Sequence, residues 1–258
     1  MRLMKRILSA AAVLALSASL LVGCSSGTAS SVPVSASSAA ESTVSSVEET
    51  ASSAVDENEA AAAQLLNDLT GSYQELWPVI LADEYKQTWL DDCTALVGEE
   101  NAEAAFEKLS SMVTSDVYGE DAVEAYANGG GAYFCGFTNS LAILTFDGET
   151  STISGTDKDG NVLFSHTYHY IGMEPVHGLY EFESDDADSG EFTYFFLAPD
   201  TSAETYHIEF RYGSDAEALS QYDAGEYAYW VASGISTDCD QTMIDNCIEL
   251  FCTENLAG

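Results

Sequence analysis

Short segments in which apolar and polar side chains alternate with a period of two dominate residues 132–212. Seven such segments, rich in Tyr, Phe, Thr and Ile, follow one another: AYFCGF, LAILTF, STISG, VLFSHTYHYIG, GLYEFES, EFTYFFL and ETYHIEFRY. This alternation is typical of β-strands with one buried face, and the intervening DG, KDGN and DADSGE sequences are typical of tight turns. The pattern predicts about seven antiparallel strands in meander order.

Helical patterns flank these strands. From about residue 60 to 127, apolar residues recur at spacings of three and four in AAAAQLLNDL, YQELWPVILADEYKQTWLDDCTALV and NAEAAFEKLSSMV, and NGGG ends the region. After the last strand, SDAEALSQYD predicts a helix capped by Ser214, and CDQTMIDNCIELFCTEN predicts a final helix. A single up-and-down sheet among helices favours a small closed barrel over a sandwich, because closure removes exposed strand edges. The predicted fold is mainly β, an antiparallel barrel with flanking helices.

Residues 1–23 predict an export signal. Three of the seven basic residues lie before residue 7, and residues 7–22 are apolar or small. That run is shorter than the roughly 20 residues of a membrane-spanning helix, so it predicts a signal-peptide core. The following LVGC ends in Cys24, at the spacing where bacterial lipoprotein signals are cleaved and the cysteine is lipidated, with palmitate as a typical acyl group. The alternatives are a plain secretory signal and an uncleaved anchor.

The rest of the chain divides into two parts. Residues 24–60 are rich in Ser, Ala and Glu without apolar periodicity, which predicts a flexible tether. Residues 61–258 are long enough for one compact domain with a sizeable core. We therefore expect an extracytoplasmic lipoprotein, held on the bacterial cell membrane through lipidated Cys24.

The charge balance limits the partners of this domain. The chain has 43 acidic and 7 basic residues and a formal net charge of −36. Beyond the signal the basic residues are Lys86, Lys108, Lys158 and Arg211. Nucleic acid is excluded as a partner, because binding it requires a basic surface. A strongly negative field attracts metal cations, and the alternative is a solvated acidic surface that keeps an exported protein soluble.

Cysteine usage predicts covalent links. Beyond Cys24 the chain has Cys93, Cys135, Cys239, Cys247 and Cys252, without a CxxC pair. The spacing therefore disfavours a zinc-thiolate site. An exported protein meets oxidising conditions, which favours one or two disulfides plus a buried thiol. A link from Cys93 to the C-terminal helix is one candidate, and the connectivity stays open.

Motif searches favour binding over catalysis. The sequence has no GxSxG, phosphate loop, HExxH or dinucleotide fingerprint, so we expect no enzyme. The acidic ESDDADSGE segment fits a calcium loop poorly, because Ala187 and Ser189 fall at ligand positions and Phe196 replaces the bidentate acid. A hairpin turn is the preferred interpretation there, and TDKDGN is also interpreted as a turn.

His207 is the candidate metal ligand. On the last predicted strand, alternate residues share one face: Thr205, His207, Glu209 and Arg211. Same-face neighbours lie about 6.6 Å apart, close enough to converge on one ion, and this polar face would line the cavity of a barrel. The alternative is an ordinary packed or hydrogen-bonded histidine. His166 and His169 are three residues apart on another strand, so they point to opposite faces.

Four stretches stand in order over most of residues 68–254: GSYQELWPVI, HYIGMEPVHGLYEFES, FFLAPDTSAETYHIEFRYG and AGEYAYWVASGIS. Together they resemble the ZinT family of extracytoplasmic zinc-binding proteins. The first is similar to the opening helix of that family and the second to its paired strands. The third is similar to its metal-ligand stretch, and the fourth to the segment before its last helix. The resemblance implies a lipocalin-like (calycin-like) barrel with flanking helices. It also implies that zinc or cadmium is held by three histidines near the barrel mouth.

The ligand positions of that family are only partly kept. His207 matches the second histidine of the family's His-x-His pair, Thr205 stands at the first, and Phe195 falls near the isolated histidine. Zinc usually takes at least three protein ligands. A rebuilt site would need Glu209, Glu204, His177 or another carboxylate.

Two functions follow from these features. The first is an extracytoplasmic lipoprotein that binds or buffers zinc or another divalent metal ion and delivers it to a metal ABC importer. The second is a degenerate lipocalin-like module that binds a small organic ligand or a protein partner without metal. The 14 tyrosines favour the second function, since Tyr combines apolar area with a hydrogen-bonding tip.

Overall fold

The computed structural model describes residues 57–198 and 207–256 and contains a closed antiparallel barrel. Its strands are β1 (Gly71–Glu75), β2 (Ile143–Asp147), β3 (Thr152–Thr156), β4 (Val162–Met173), β5 (Tyr180–Ser184), β6 (Tyr194–Leu197), β7 (His207–Gly213) and β8 (Ala232–Ser236). Each strand pairs with the next, and β8 pairs back to β1, with Tyr73 opposite Ser236. The predicted lipocalin-like barrel with flanking helices is confirmed. The predicted signal, Cys24, Glu204 and Thr205 lie outside the described residues.

Three strand assignments differ from the sequence prediction. GSYQE, assigned to the helical region, forms β1 and closes the barrel between β2 and β8. AYFCGF, predicted as a strand, makes only isolated bridges, in which Phe134 contacts Thr114 and Trp230. This segment lies beside β8, where Cys135 O accepts from Ser233 N at 3.0 Å, but it does not form a continuous ladder with any strand. The third difference is β8 (ASGIS), which was not predicted as a strand and which closes the barrel by pairing with β7 and β1.

Aromatic side chains fill the inside of the barrel. The ring centroids of Phe164 on β4 and Phe195 on β6 are 5.9 Å apart, and those of Tyr168 and Phe195 are 5.4 Å apart. Because β5 lies between these strands, the contacts cross the interior. Gly155 makes room for them, since a Cβ there would lie 2.4 Å from Leu141 Cδ1. The interior is therefore a packed core.

The outside of the barrel is covered unevenly. Along β4 the outward residues are exposed, as the burial alternation shows, whereas every residue of β7 is buried. Residues 214–231 fold back over β7, where the Arg211 guanidinium donates to the backbone carbonyls of Leu219 and Tyr227. β7 is therefore buried on both of its faces.

Seven α-helices are described: α1 (residues 57–68), α2 (Leu76–Ile80), α3 (Lys86–Val97), α4 (Glu99–Ser111), α5 (Glu120–Ala127), α6 (Ala216–Leu219) and α7 (Gln241–Leu256). Short 3-10 turns occur at Asp83–Tyr85 and Gly190–Phe192. α6 is capped by Asp215, whose carboxylate accepts from Ala218 N at 3.1 Å, one residue after the predicted Ser214. Within the described ranges no helix is long and apolar enough to span a bilayer.

Three of these helices form a second core beside the barrel. α3 packs against α4 and α7, and Phe251 on α7 contacts Trp77 and Trp89 at centroid distances of 4.7 and 5.7 Å. Trp89 Nε1 donates to Ile80 O at 2.6 Å. These contacts fix α7 against the helices that precede the barrel.

Candidate functional site

The polar face of β7 is buried on the outside of the barrel wall. His207, Glu209 and Arg211 are 2%, 3% and 0% exposed. The inward residues of the strand are instead Ile208, Phe210 and Tyr212, which join the aromatic core. The prediction that the polar face lines the barrel cavity is therefore wrong. The apolar side chains of Ile208, Phe210 and Tyr212 fill the interior of the barrel. The polar side chains therefore lie on the outer face of β7, which is covered by other parts of the chain.

His207 is a neutral imidazole in this environment. Burial lowers the pKa of His207 to about 3, because the charged ring would lose its hydration. A neutral imidazole is the form that binds metal ions. His207 lies at the beginning of β7, directly after the segment that contains Asp200 and Glu204 in the sequence. The position thus has the protonation state of a metal ligand.

Glu209 supplies a second possible donor, a carboxylate, on the same face. It is two residues from His207, about 6.6 Å along the strand, and it pairs across the ladder with Ser233. Two buried thiols lie nearby. Burial raises the pKa of Cys135 well above its usual range, with the charge of Glu209 adding to the effect, and burial raises the pKa of Cys247 to about 12. Both thiols are therefore protonated at neutral pH in the metal-free protein.

The described side chains do not complete a metal site. Within residues 57–198 and 207–256, no group of three His, Cys, Asp or Glu side chains is arranged to hold an ion. His207 and Glu209 are two donors, and zinc usually takes at least three from the protein. The donors at Asp200 and Glu204 belong to the part of the chain between these ranges. The described residues therefore supply two of the ligands that a zinc site needs, and at least one further ligand would have to come from elsewhere.

The other end of the polar row has a structural role. The Arg211 guanidinium donates to the backbone carbonyls of Leu219, Gln221 and Tyr227. Its Cζ lies 4.2 Å from the ring centroid of Tyr222, a cation–π contact. One buried cation thus holds residues 219–227 against β7.

His177 belongs to this Arg211 end. Its ring centroid is 3.7 Å from that of Tyr222, and its Nδ1 is 3.3 Å from Glu174 Oε2. Arg211 lies four residues from His207, about 13 Å along the strand. The structure therefore does not bring His177 to His207. Glu174, which is fully buried and accepts from the backbone of His177 at 2.6 Å, was not predicted, because nothing in the local pattern distinguishes it.

Phe195 is also separated from His207. It lies on the inner face of β6, opposite Tyr212, and packs in the aromatic core. The family's isolated histidine therefore has no counterpart on the polar face of β7. His207 and Phe195 lie on opposite sides of the barrel wall.

The remaining histidines hold turns together. His166 Nδ1 is 2.8 Å from Asp186 Oδ2, and His169 Nδ1 is 2.7 Å from Asp185 Oδ1. The two rings point to opposite faces of β4, as predicted, and the ESDDADSGE segment forms the turn between β5 and β6. TDKDGN is the turn between β3 and β4, where Asp157 Oδ1 accepts from Asn161 N at 2.9 Å. Both turn predictions are confirmed.

A cleft lies outside the barrel, beside β1 and α2. It has a volume of 330 Å³ and is lined by residues that include Glu75, Pro78, Val113 and Phe134. Glu75 Oε1 is engaged there, since it accepts from Phe137 N at 2.6 Å. The barrel interior, where a lipocalin-type ligand would lie, is instead occupied by ring contacts. The packing therefore disfavours an organic ligand inside the barrel.

Comparisons with known proteins show distant structural likenesses. No protein-family model matches the chain, and no curated protein matches it in sequence. Among solved structures it is similar to the Zn(II)-bound ZinT-like domain of Streptococcus pneumoniae AdcA, with 15% identity, a TM-score of 0.45, and coverage of 71% of this chain and 89% of that one. It is also similar to Zn(II)-bound AdcA from the same organism, with 14% identity, a TM-score of 0.42, and coverage of 72% of this chain and 35% of that one. Membership of the ZinT family stays a prediction.

Proposed function

We propose that this domain binds a divalent metal ion, zinc first, at a site built on His207 and Glu209. The observation that carries the proposal is the placement of an imidazole and a carboxylate two residues apart on one face of β7, both almost completely buried. Nitrogen and carboxylate oxygen are the donor types of zinc sites outside thiolate clusters. The proposed third donor is Glu204 or Asp200, from the segment just before His207 in the sequence.

The proposed setting is the outer face of the cell membrane. Lipidation of Cys24, predicted from LVGC, anchors the protein, and the Ser-, Ala- and Glu-rich tether lets the domain move above the surface. The high negative charge of the chain raises the local concentration of cations around it. In this setting the domain buffers the metal and passes it to a metal ABC importer. The proposal includes no catalytic step.

Zinc titration of the purified full-length chain by calorimetry tests the metal site. We expect one strongly bound ion, and His207→Ala and Glu209→Gln should each weaken its binding by about tenfold or more, because each removes one ligand. Glu204→Gln tests the proposed third donor in the same way. His169→Ala is the matched control, since His169 is an exposed histidine bonded to Asp185 and should bind zinc like the wild type.

The competing results are distinct. Equal weak binding by the wild type and all four variants would mean that zinc occupies surface carboxylates, and the site on β7 would be rejected. Far-UV circular dichroism and melting curves show whether a variant has lost binding by unfolding. The anchor is tested separately by incorporation of labelled palmitate, which Cys24→Ala should abolish while releasing the protein from the membrane fraction.

A further inference from the structure

Two cysteine sulfurs meet in the helical core beside the barrel. Cys93 Sγ on α3 and Cys252 Sγ on α7 are 3.9 Å apart, and both side chains are fully buried. They lie on helices that pack directly against each other. The five described cysteines are free thiols in this structure, so the disulfides predicted from the sequence are not formed in it.

The position of this pair suits a covalent link. A disulfide needs a sulfur separation of about 2.05 Å, so the two sulfurs must approach by about 2 Å, within reach of side-chain rotation between helices already in contact. The other described thiols have different surroundings: Cys135 lies beside Ser233, Cys247 is on α7 towards Glu209, and Cys239 is half-buried before α7. Among the described thiols, the sulfur contact that the structure shows is Cys93 with Cys252.

We propose that Cys93 and Cys252 form a structural disulfide in the mature protein. Two thiols react with a disulfide oxidant, either a disulfide-carrying oxidoreductase or oxidised glutathione. One thiolate attacks the oxidant to give a mixed disulfide, and the second cysteine displaces the reduced half. The products are the Cys93–Cys252 bond and two reduced thiols, which carry away both protons and both electrons. This inference goes beyond the metal site and is independent of it.

The burial of both thiols determines when, during folding, the disulfide forms. Burial raises the pKa of both the Cys93 and the Cys252 thiols, and thiol–disulfide exchange requires a thiolate with access to the oxidant. In the folded protein the two thiols are protonated and are not accessible to the oxidant. The bond therefore forms during folding, before α7 closes over α3, and afterwards it is protected from reductants.

Its consequence for stability follows from the length of chain that it closes. The link joins two residues that are 159 positions apart in the sequence. Long loops lose the most unfolded-state entropy when closed, so the oxidised protein should melt about 5–15 °C above the reduced one.

The experiment uses the full-length chain in a Cys24→Ser background, which removes the predicted lipidation cysteine. The protein is refolded with a mixture of reduced and oxidised glutathione, unfolded, alkylated and digested for mass spectrometry. We expect a peptide pair joined through Cys93 and Cys252, lighter than the two free peptides by two hydrogen atoms. Addition of the same glutathione to the reduced, already folded protein should form the link much more slowly.

Alanine variants make the test decisive. Wild type that is unfolded, reduced and refolded in reductant should lose its higher melting temperature, whereas Cys93→Ala and Cys252→Ala should melt at the same temperature whether refolded with or without reductant. Cys239→Ala is the matched control and should keep the reductant-sensitive shift. Alkylation of Cys93 and Cys252 to the same extent as Cys239, or a dominant link between other cysteines, would overturn the proposal.

Discussion

Asp92 is an ionisable side chain whose surroundings oppose its charge. It lies on α3, facing α7, and its Oδ2 is buried without a hydrogen-bond partner in the described structure. Loss of hydration, together with the carboxylates of Glu249 and Asp245, raises its pKa from 3.8 to about 6. The carboxylate therefore destabilises the native state at neutral pH. We predict that Asp92→Asn stabilises the protein.

The size of the gain follows from the two pKa values. In the unfolded chain the proton is released near pH 3.8, whereas the folded protein keeps it up to about pH 6. The folded state binds the proton more tightly in this interval, so Asp92 costs stability as the pH rises from 4 to 6, and the cost is complete above pH 6. The interval corresponds to about 3 kcal/mol without screening. Because the side chain is only partly buried, water and salt reduce this, and we expect a gain of about 1 kcal/mol.

Urea unfolding of wild type and Asp92→Asn measures the difference in unfolding free energy. The gain should be full at about pH 7.5 and fall to about half at pH 5, still above the isoelectric point of about 4.1. Glu103→Gln is the matched control, because it removes one charge from an exposed position on α4. A gain that is the same at both pH values, or equally large in Glu103→Gln, would show that general charge repulsion, and not the burial of Asp92, is responsible.

Two further predictions concern packing. Arg211→Lys should lower the unfolding free energy by about 2–4 kcal/mol, because an ammonium cannot satisfy the carbonyls of Leu219, Gln221 and Tyr227 as the planar guanidinium does. Urea unfolding checks this, and an unchanged midpoint would contradict the assigned role of Arg211. Gly148→Ala should cost about 1–3 kcal/mol, since the added Cβ would lie 2.4 Å from Asn67 Cα and push α1 away. Gly130→Ala, with nothing within 4 Å of its Cβ, should melt like the wild type, and equal melting of both variants would refute the close approach.

The strand pattern predicted most of the barrel because local alternation reports which face of each strand is buried. Each of β2 to β7 coincides with a predicted segment or extends one residue beyond its end. β1 was missed because Tyr73 and Leu76 also fit a helical spacing, and its strand state depends on pairing with β2 and β8. AYFCGF was overpredicted for the converse reason, since it alternates like a strand but meets partners at isolated bridges only. Long-range pairing decides both cases, and a local pattern does not contain it.

The candidate site was harder to predict. Alternation placed His207, Glu209 and Arg211 correctly on one face of β7. It did not show which face was inward, because Ile208, Phe210 and Tyr212 compete for the same interior and every residue of the strand is buried. The contact of Cys93 with Cys252 confirms that Cys93 faces the C-terminal helix, whereas the choice between Cys247 and Cys252 needed the three-dimensional packing.

The pairing of β1 with β8 ties together the two ends of the domain sequence, with Gln74 opposite Ile235 and Glu75 opposite Gly234. Such contacts between distant residues have a high contact order, so the barrel closes slowly compared with a helical bundle of equal size. During synthesis the closing step waits until almost the whole chain has emerged. A chain of this topology therefore remains unfolded for longer than a chain whose fold is built from local contacts, and an unfolded chain can pass through a secretion channel. Slow closure of the barrel is therefore compatible with the predicted export of the protein in an unfolded state.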